Sequence, residues 1–329
     1  MTALREVGIL GTGSYAPERV LSNHDLEKLV DTNDEWIVSR TGMRERRLVS
    51  EGQATSDLAC ESAKRAMEDA GVGAGDIDLV ILATVTPDHL VPSTACILQA
   101  RLGLVNASAF DINVACSGFV TGMNVAKSLI AAGAYNRVLV IGAETMSSIL
   151  NYKDRGSCIL FGDAAGAAVL GPYAGQGKIL DMHTGADGTG GMSMVVPAGG
   201  SRKPCTPEVV AADEHKLVMK GNEVYKFAVA KFKDLVVEQL ARTGYKPSDI
   251  DLVIPHQVNL RIIESALSRL DIDPARIYIN LDRYGNTSAG SVPLALDEAR
   301  RAGRFQSGSL VSLVAFGAGL TWASSLIRW

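Results

Sequence analysis

A chain of 329 residues, 47% hydrophobic and 21% charged, has material for a large buried core and exceeds one small domain. A net charge of −4 and an aromatic content of 5% supply neither the basic field nor the stacking surface of a nucleic-acid binder, and nothing draws the chain to an acidic membrane. Five cysteines without a Cys-x-x-Cys pair argue against a disulfide framework or a zinc site; with no apolar run of membrane-spanning or signal-peptide type, a cytoplasmic protein is expected.

In chain order, Gly11-Thr12-Gly13 follows a short apolar run and mimics a dinucleotide-binding loop. The third glycine and a ribose-binding acid are missing, so a nucleotide site is rejected. An amphipathic helix over about 57–70 then precedes the string DIDLVI at 76–81. The same six residues return at 249–254, after a second amphipathic stretch at about 224–242. RLGLVNASAFDINVACSG (101–118) likewise parallels RLDIDPARIYINLDRYGN (269–286), and RVLVIGAET (137–145) parallels SLVSLVAFGAG (309–319). Three matches in one order, at offsets of 168 to 173 residues, mark a duplication. Strands alternating with helices predict two α/β halves, about 1–175 and 176–329, each with a parallel sheet covered on both faces. The Gly/Ser-rich segment 186–222, with Pro197, Pro204 and Pro207, reads as a long functional or mobile loop.

Sites in such sheets lie beyond the carboxyl ends of strands. Cys116 stands there, where a strand gives way to a helix from about Ser117 to Ala132. The helix dipole at that position is expected to lower the thiol pKa and favour a nucleophile. Cys60, Cys96 and Cys158 read as small core hydrophobes. His256 follows the second DIDLVI strand, placed to donate hydrogen bonds or move protons. Asn286, taken alone, reads as a turn residue, but the repeat puts its loop on the side of Cys116 and His256. The turn in FGAGLTW (316–322) offers backbone N–H groups to an oxyanion.

These motifs resemble the β-ketoacyl-acyl carrier protein synthase III family, the initiating condensing enzymes of type II fatty acid synthesis. The likeness spans nearly the whole chain: DEWIVSRTGMRERR (34–47), DINVACSGF (111–119), DRGSCILFGDAAGAAVL (154–170), GNEVYKFAV (221–229), IPHQVNLRII (254–263), LDRYGNTSAGSVPLALDEA (281–299) and AFGAGLTW (315–322). The resemblance implies a thiolase-like fold layered α-β-α-β-α and a homodimer, with no metal or redox cofactor. It implies Cys116, His256 and Asn286 as the catalytic set, with the Cys116 and Ala318 amides as the oxyanion hole. An acyl group from acyl-CoA passes to Cys116; malonyl-acyl carrier protein then loses carbon dioxide, and the carbanion attacks the acyl-cysteine. By the same likeness Trp36 and Arg155 sandwich the CoA adenine, Arg40 lies near its phosphates and Asn259 meets pantetheine. Lys226, Arg261 and Arg269 would grip the acidic carrier protein. Val91 stands where acetyl-selective members carry Phe at the acyl pocket, implying room for longer primers. The oxyanion turn reads Gly-Ala-Gly where three glycines are common, and segment 200–216 exceeds the family's usual length.

Two readings compete. A specialised-metabolism relative would share the fold and the Cys-His-Asn set but join other thioesters. A papain-like hydrolase also orders Cys, His and Asn and tolerates the 140-residue Cys-to-His gap, but the duplication and the missing local cysteine signature oppose it. A non-catalytic CoA-binding module would have no need of all three reactive residues.

Overall fold

The computed structural model describes residues 4–329. Its first half contains β1 (Val7–Tyr15), α1 (Thr55–Asp69), β2 (Leu79–Ala83), α2 (Thr94–Arg101), β3 (Ser108–Ile112), α3 (Gly118–Ala131), β4 (Val138–Thr145) and β5 (Asp163–Pro172). The second contains β6 (Lys178–Ala186), α4 (Gly221–Thr243), β7 (Leu252–Pro255), α5 (Leu260–Leu267), α6 (Ser291–Arg301), β8 (Leu310–Gly317) and β9 (Thr321–Arg328). The strand order is β3-β2-β4-β5-β1 in one half and β7-β8-β9-β6 in the other, with Ile277 bridging to Val253 in parallel beyond β7. The two orders are equivalent, and one pairing, Gly8 with Lys178, joins them edge to edge into a nine-stranded sheet.

The repeated string acts in the same way in both halves. Its first Asp caps a short 3-10 turn: Asp76 accepts from the Gly73 amide at 2.9 Å and Asp249 from the Lys246 amide at 2.8 Å. Ile77 and Ile250 are wholly buried. The second Asp receives a neighbouring chain: Asp78 accepts from the Arg137 amide and Asp251 from the Leu310 amide, just before β4 and at the start of β8. The strands therefore begin only at Leu79 and Leu252, later than the repeat suggested.

Purely parallel sheets are not what forms. β2 pairs in parallel with β3 and β4, and β7 with β8, but β5 and β9 run antiparallel to both of their neighbours. The turn between β8 and β9 is only three residues long, which permits a hairpin and no crossover. Helices α3 and α6 occupy the middle, burying Phe119, Met123, Val292 and Leu296 in the central core beside Ile81 and Leu313. Outer clusters form with α1 and α2 on one side and α4 and α5 on the other, which completes five layers.

Gly11 and Gly13 lie inside β1, not after it. A Cβ there would stand 2.4 Å from the Ala70 amide nitrogen and 2.3 Å from that of Ala66, so these glycines let α1 lie directly on the strand. Segment 186–222 is ordered rather than a bare loop. It contains a 3-10 turn (Gly188–Ser193), a strand pair (Met194–Val195 with Val218–Met219) and a helix over Pro207–Ala211 capped by Thr206.

Candidate active site

The carboxyl ends of β2, β3, β7 and β8 converge at the junction of the halves, where the sequence placed the chemistry. After β3 the chain makes a 3-10 turn, Ala115–Ser117, with Ala115 at φ 46°. That left-handed conformation, unfavourable for a residue with a Cβ, sets Cys116 directly before α3. The elbow is held by Thr321, whose hydroxyl lies 2.9 Å from that of Ser117 and donates to the Val114 carbonyl at 3.1 Å. A Cβ on Gly317 would sit 2.6 Å from the Cys116 amide nitrogen, so only glycine lets the end of β8 approach the nucleophile so closely.

Cys116, His256 and Asn286 are all buried and line one narrow slot with Phe227, Val258 and Phe316. On the other side of Cys116 opens an apolar cavity of about 330 Å³, walled by Val85, Met146, Ile149, Phe161 and Leu217. Ala318 and Met194 border both spaces, so the ordered segment 186–222 helps to close the site. A wider groove, about 910 Å³, lies among the ion-paired Asp69, Arg283, Asp297, Glu298 and Arg301, away from these three residues.

Orientation of the slot's donors is explicit. Asn286 Oδ1 accepts the Ser288 amide hydrogen at 2.8 Å, leaving its Nδ2 hydrogens for a ligand. His256 Nδ1 lies 3.1 Å from Ser291 Oγ, which also accepts from the Gln257 amide at 2.8 Å. Burial pushes His256 down to about 3, so the imidazole is neutral at physiological pH. A Ser291 hydroxyl donating to Nδ1 would place the ring proton on Nε2. The sequence led us to expect a lowered thiol pKa at Cys116, but burial dominates and pushes it up to about 12. The thiol donates to Ser288 Oγ at 3.6 Å, and the nearby charge of Glu144 adds to the rise. The helix N-terminus alone therefore does not yield a thiolate.

The other sequence-derived positions fall into two groups and one outlier. Trp36 carries the Arg155 guanidinium 4.7 Å from its ring centroid and that of Arg40 at 5.9 Å. At 4.7 Å no ring fits between Arg155 and Trp36 until the guanidinium swings away. Asn259 caps α5 through the Arg261 amide and donates to the Arg40 carbonyl at 3.2 Å, one residue beyond Val258 of the slot. The wholly buried Arg46 ties the paired strands Arg19–Ser22 and Glu45–Leu48 to the segment after Arg155 by donating to the carbonyls of Leu21 and Ile159. Lys226, Arg261 and Arg269 are exposed on and just beyond two packed helices, joined near them by a 2.9 Å Tyr225–Ser265 hydrogen bond. Val91 is the outlier: 85% exposed, it does not line this chain's own cavity at Cys116.

Sequence reasoning missed Glu144, Ser288 and Ser291. Glu144 had a signal, a lone acid near the end of the otherwise apolar run RVLVIGAET. Ser288 and Ser291 lie in the quoted NTSAGS string but carry no mark of their own. No cluster of three or more His, Cys, Asp or Glu suited to a metal occurs among the described residues.

Residues 110–188 match the family described as 3-oxoacyl-[acyl-carrier-protein] synthase III, and residues 240–329 match its C-terminal part. The chain is 57% identical to the β-ketoacyl-[acyl-carrier-protein] synthase III of Caldanaerobacter subterraneus, over 98% of this chain and 97% of the relative. The crystal structure of 3-oxoacyl-[acyl-carrier-protein] synthase III from Aquifex aeolicus superposes with a TM-score of 0.90 at 41% identity, covering 98% of this chain and all of that one. The priming β-ketosynthase of the R1128 polyketide pathway superposes at 0.92 with 34% identity, covering 99% and 97%. With the duplicated thiolase-like fold and the Cys-His-Asn slot, these matches establish that the chain belongs to the β-ketoacyl-[acyl-carrier-protein] synthase III family.

Proposed function

We propose that this condensing enzyme joins an acyl-CoA primer to malonyl-acyl carrier protein, initiating fatty acid synthesis, through an acyl-Cys116 intermediate. The observation that carries the reading is the place of Cys116 between an apolar cavity and a slot lined by two neutral hydrogen-bond donors. The cavity suits an acyl chain and the slot a thioester arm. Attack by Cys116 expels CoA. In the second half-reaction His256 Nε2–H and Asn286 Nδ2–H donate to the malonyl thioester oxygen, where charge develops as carbon dioxide leaves. The carbanion then attacks the acyl-cysteine, whose oxygen is received by the Cys116 and Ala318 amides. Both donors bear no charge, which suits a buried site where an unpaired cation would be costly.

Trp36, Arg40, Arg155 and Asn259 form the cluster proposed to hold CoA. The exposed Lys226, Arg261 and Arg269 are proposed to meet an acidic carrier protein. Among the described residues the outer edge of β3 has no partner strand, and Val105 near it is 80% exposed while Leu90 and Val91 are each 85% exposed. A free strand edge flanked by apolar side chains supports a homodimer that pairs β3 with its copy. Any contact of Val91 with a primer then lies across that interface. Free thiols at all five cysteines suit the cytoplasm. The likeness to a polyketide priming ketosynthase keeps specialised metabolism as a second reading of the same chemistry.

The test is intact-protein mass spectrometry after incubation with a panel of acyl-CoAs, followed by addition of malonyl-acyl carrier protein. Acyl adducts on the wild type, absent in Cys116→Ala and discharged as 3-oxoacyl-carrier protein, are expected. A wild type that stays unmodified by every acyl-CoA would overturn the intermediate.

A further inference from the structure

Glu144 takes no part in the chemistry above, yet it lies wholly buried beside the nucleophile, one residue from the carboxyl end of β4. No cation pairs with it among the described residues. Its carboxyl accepts from the hydroxyls of Thr84 at 3.1 Å and Thr86 at 2.6 Å, and from the amides of Val85 and Thr86. The remaining donor comes from the other half of the molecule: Ser288 Oγ, at 3.0 Å. Because Ser288 gives its only hydroxyl proton to Glu144, its lone pairs are free for a second partner. That partner is the Cys116 thiol, 3.6 Å away, and no other side chain is hydrogen-bonded to this sulfur among the described residues. Ser288 is held at φ 48°, a conformation unfavourable for a non-glycine residue, with its amide locked to Asn286 Oδ1. Local strain at the residue that bridges three functional groups is the kind maintained where chemistry requires it.

We propose that Ser288 and Glu144 form a proton relay for Cys116, in which Ser288 takes the thiol proton while passing its own to Glu144. The proposal rests on the acyl-cysteine reading. As the sulfur bonds to the thioester carbonyl carbon, the S–H bond breaks, its proton joins Ser288 Oγ, and the former hydroxyl proton bonds to Glu144 Oε1. Negative charge thus moves from the carboxylate to the carbonyl oxygen, and no second charge appears in the buried space. Collapse of the adduct breaks the carbon–sulfur bond to CoA, which departs as a thiolate and is protonated by water. Glu144 keeps its proton through malonyl decarboxylation. When the carbanion displaces Cys116, the relay runs backward and restores the thiol. One proton is consumed overall, as the sum of acyl-CoA and malonyl thioester to 3-oxoacyl thioester, carbon dioxide and CoA requires.

The arrangement answers the need left by a thiol that burial keeps protonated. Ser288 touches the reacting sulfur and is a catalytic residue; Glu144 acts through it and is a positioning residue. The titratable group facing Glu144 is Cys116. Its other neighbours are the hydroxyls and amides of Thr84, Val85, Thr86 and Ser288.

Ser288→Ala and Glu144→Gln decide the matter when both half-reactions are timed by rapid quench from about pH 6 to 9.5. Acylation by acyl-CoA should fall about 30-fold or more near neutral pH, within the range of a lost proton-transfer group, with carbon dioxide release from malonyl-acyl carrier protein within about threefold of wild type. The wild-type acylation rate should level off once Glu144 is ionised, while the variants climb about tenfold per pH unit as hydroxide replaces the relay. Variants that acylate at the wild-type rate, or lose both half-reactions equally at every pH, would overturn the relay. If either variant fails to fold, the other still decides. A wild type without an acyl adduct would overturn the acyl-cysteine reading, and the relay with it.

Discussion

Asn286 presents its carbonyl oxygen to the Ser288 amide at 2.8 Å, and this contact decides which end of its side chain faces the slot. Only the Nδ2 hydrogens remain for a substrate oxygen. Asn286→Asp keeps the acceptor and removes the donor. Decarboxylation of malonyl-acyl carrier protein should drop by roughly 10²–10³, the usual loss for one preorganised donor, while acylation of Cys116 persists. Carbon dioxide release and adduct mass, measured side by side, check the separation. Equal loss of both would contradict it.

His256 makes the fold sensitive to acid. Its ordinary value of 6.5 is lowered to about 3 in the folded chain, so between these limits the unfolded chain binds a proton that the folded one refuses. Stability is therefore greatest above about pH 6.5 and is lost as pH falls toward 3. By linkage the loss should reach about 2 kcal/mol at pH 5, at ~1.4 kcal/mol per unit. The half-buried carboxyl of Asp111 and the buried ones of Glu144 and Asp163 are raised and act in the opposite sense, stabilising the fold toward low pH. They are common to His256→Asn, whose stability by urea unfolding should fall less between pH 7 and 5 than that of the wild type. Parallel losses would refute the assignment.

Which features were legible in the sequence follows from their physics. The duplication was visible because each Asp-Ile-Asp string performs the same local capping twice, and local hydrogen bonds leave local signatures. Cys116 and His256 were visible because strand ends are marked by a change of pattern. The antiparallel β5 and β9 were not, since a strand buried on both faces reads the same in either direction. Nor was the raised thiol pKa, because burial depends on segments far apart in sequence, here Met194, Phe316 and the Ser288 loop. Ser291 is a hydroxyl among other hydroxyls until the fold brings it to His256.

Gly317 should prove indispensable for catalysis. A Cβ at this position meets the Cys116 amide nitrogen at 2.6 Å, and that nitrogen belongs to backbone with little room to retreat. Gly317→Ala should cost about 1–3 kcal/mol of stability by overpacking. Because the oxyanion role proposed for the displaced amide spans both half-reactions, acylation and condensation should fall together, unlike the split expected for Asn286. Thermal unfolding combined with the two rates tests this. Wild-type kinetics in the variant would exclude a tight oxyanion site here.

Arg261 and Lys226 are exposed, with neighbours that leave their charges free to act at a distance. Reversal of either to Glu should raise KM for malonyl-acyl carrier protein by roughly three- to tenfold and leave acyl-CoA transfer nearly unchanged, since such charges steer association. Salt should shrink the difference as the screening length shortens. A salt-independent loss with both substrates would place the damage elsewhere.

Val91 gives the sharpest test of primer choice because its own cavity excludes it. Since Val91 is 85% exposed and outside the cavity at Cys116, the contact proposed for it with an acyl chain requires a neighbouring copy. Its small side chain leaves space where a ring would intrude, and each additional buried methylene contributes roughly 0.8 kcal/mol. Selectivity from one such group is limited to about 10–200-fold, so a broadened preference is expected rather than an absolute one. Wild-type kcat/KM for primers of four or more carbons should therefore be comparable to that for acetyl-CoA, and Val91→Phe should depress the longer primers selectively. Phe110→Asp, on the strand edge itself, should shift the protein toward monomer in sedimentation, and on that background Val91→Phe should no longer discriminate. Chain-length selectivity that survives in a monomer would show that Met146, Ile149, Phe161 and Leu217 set the limit within one chain.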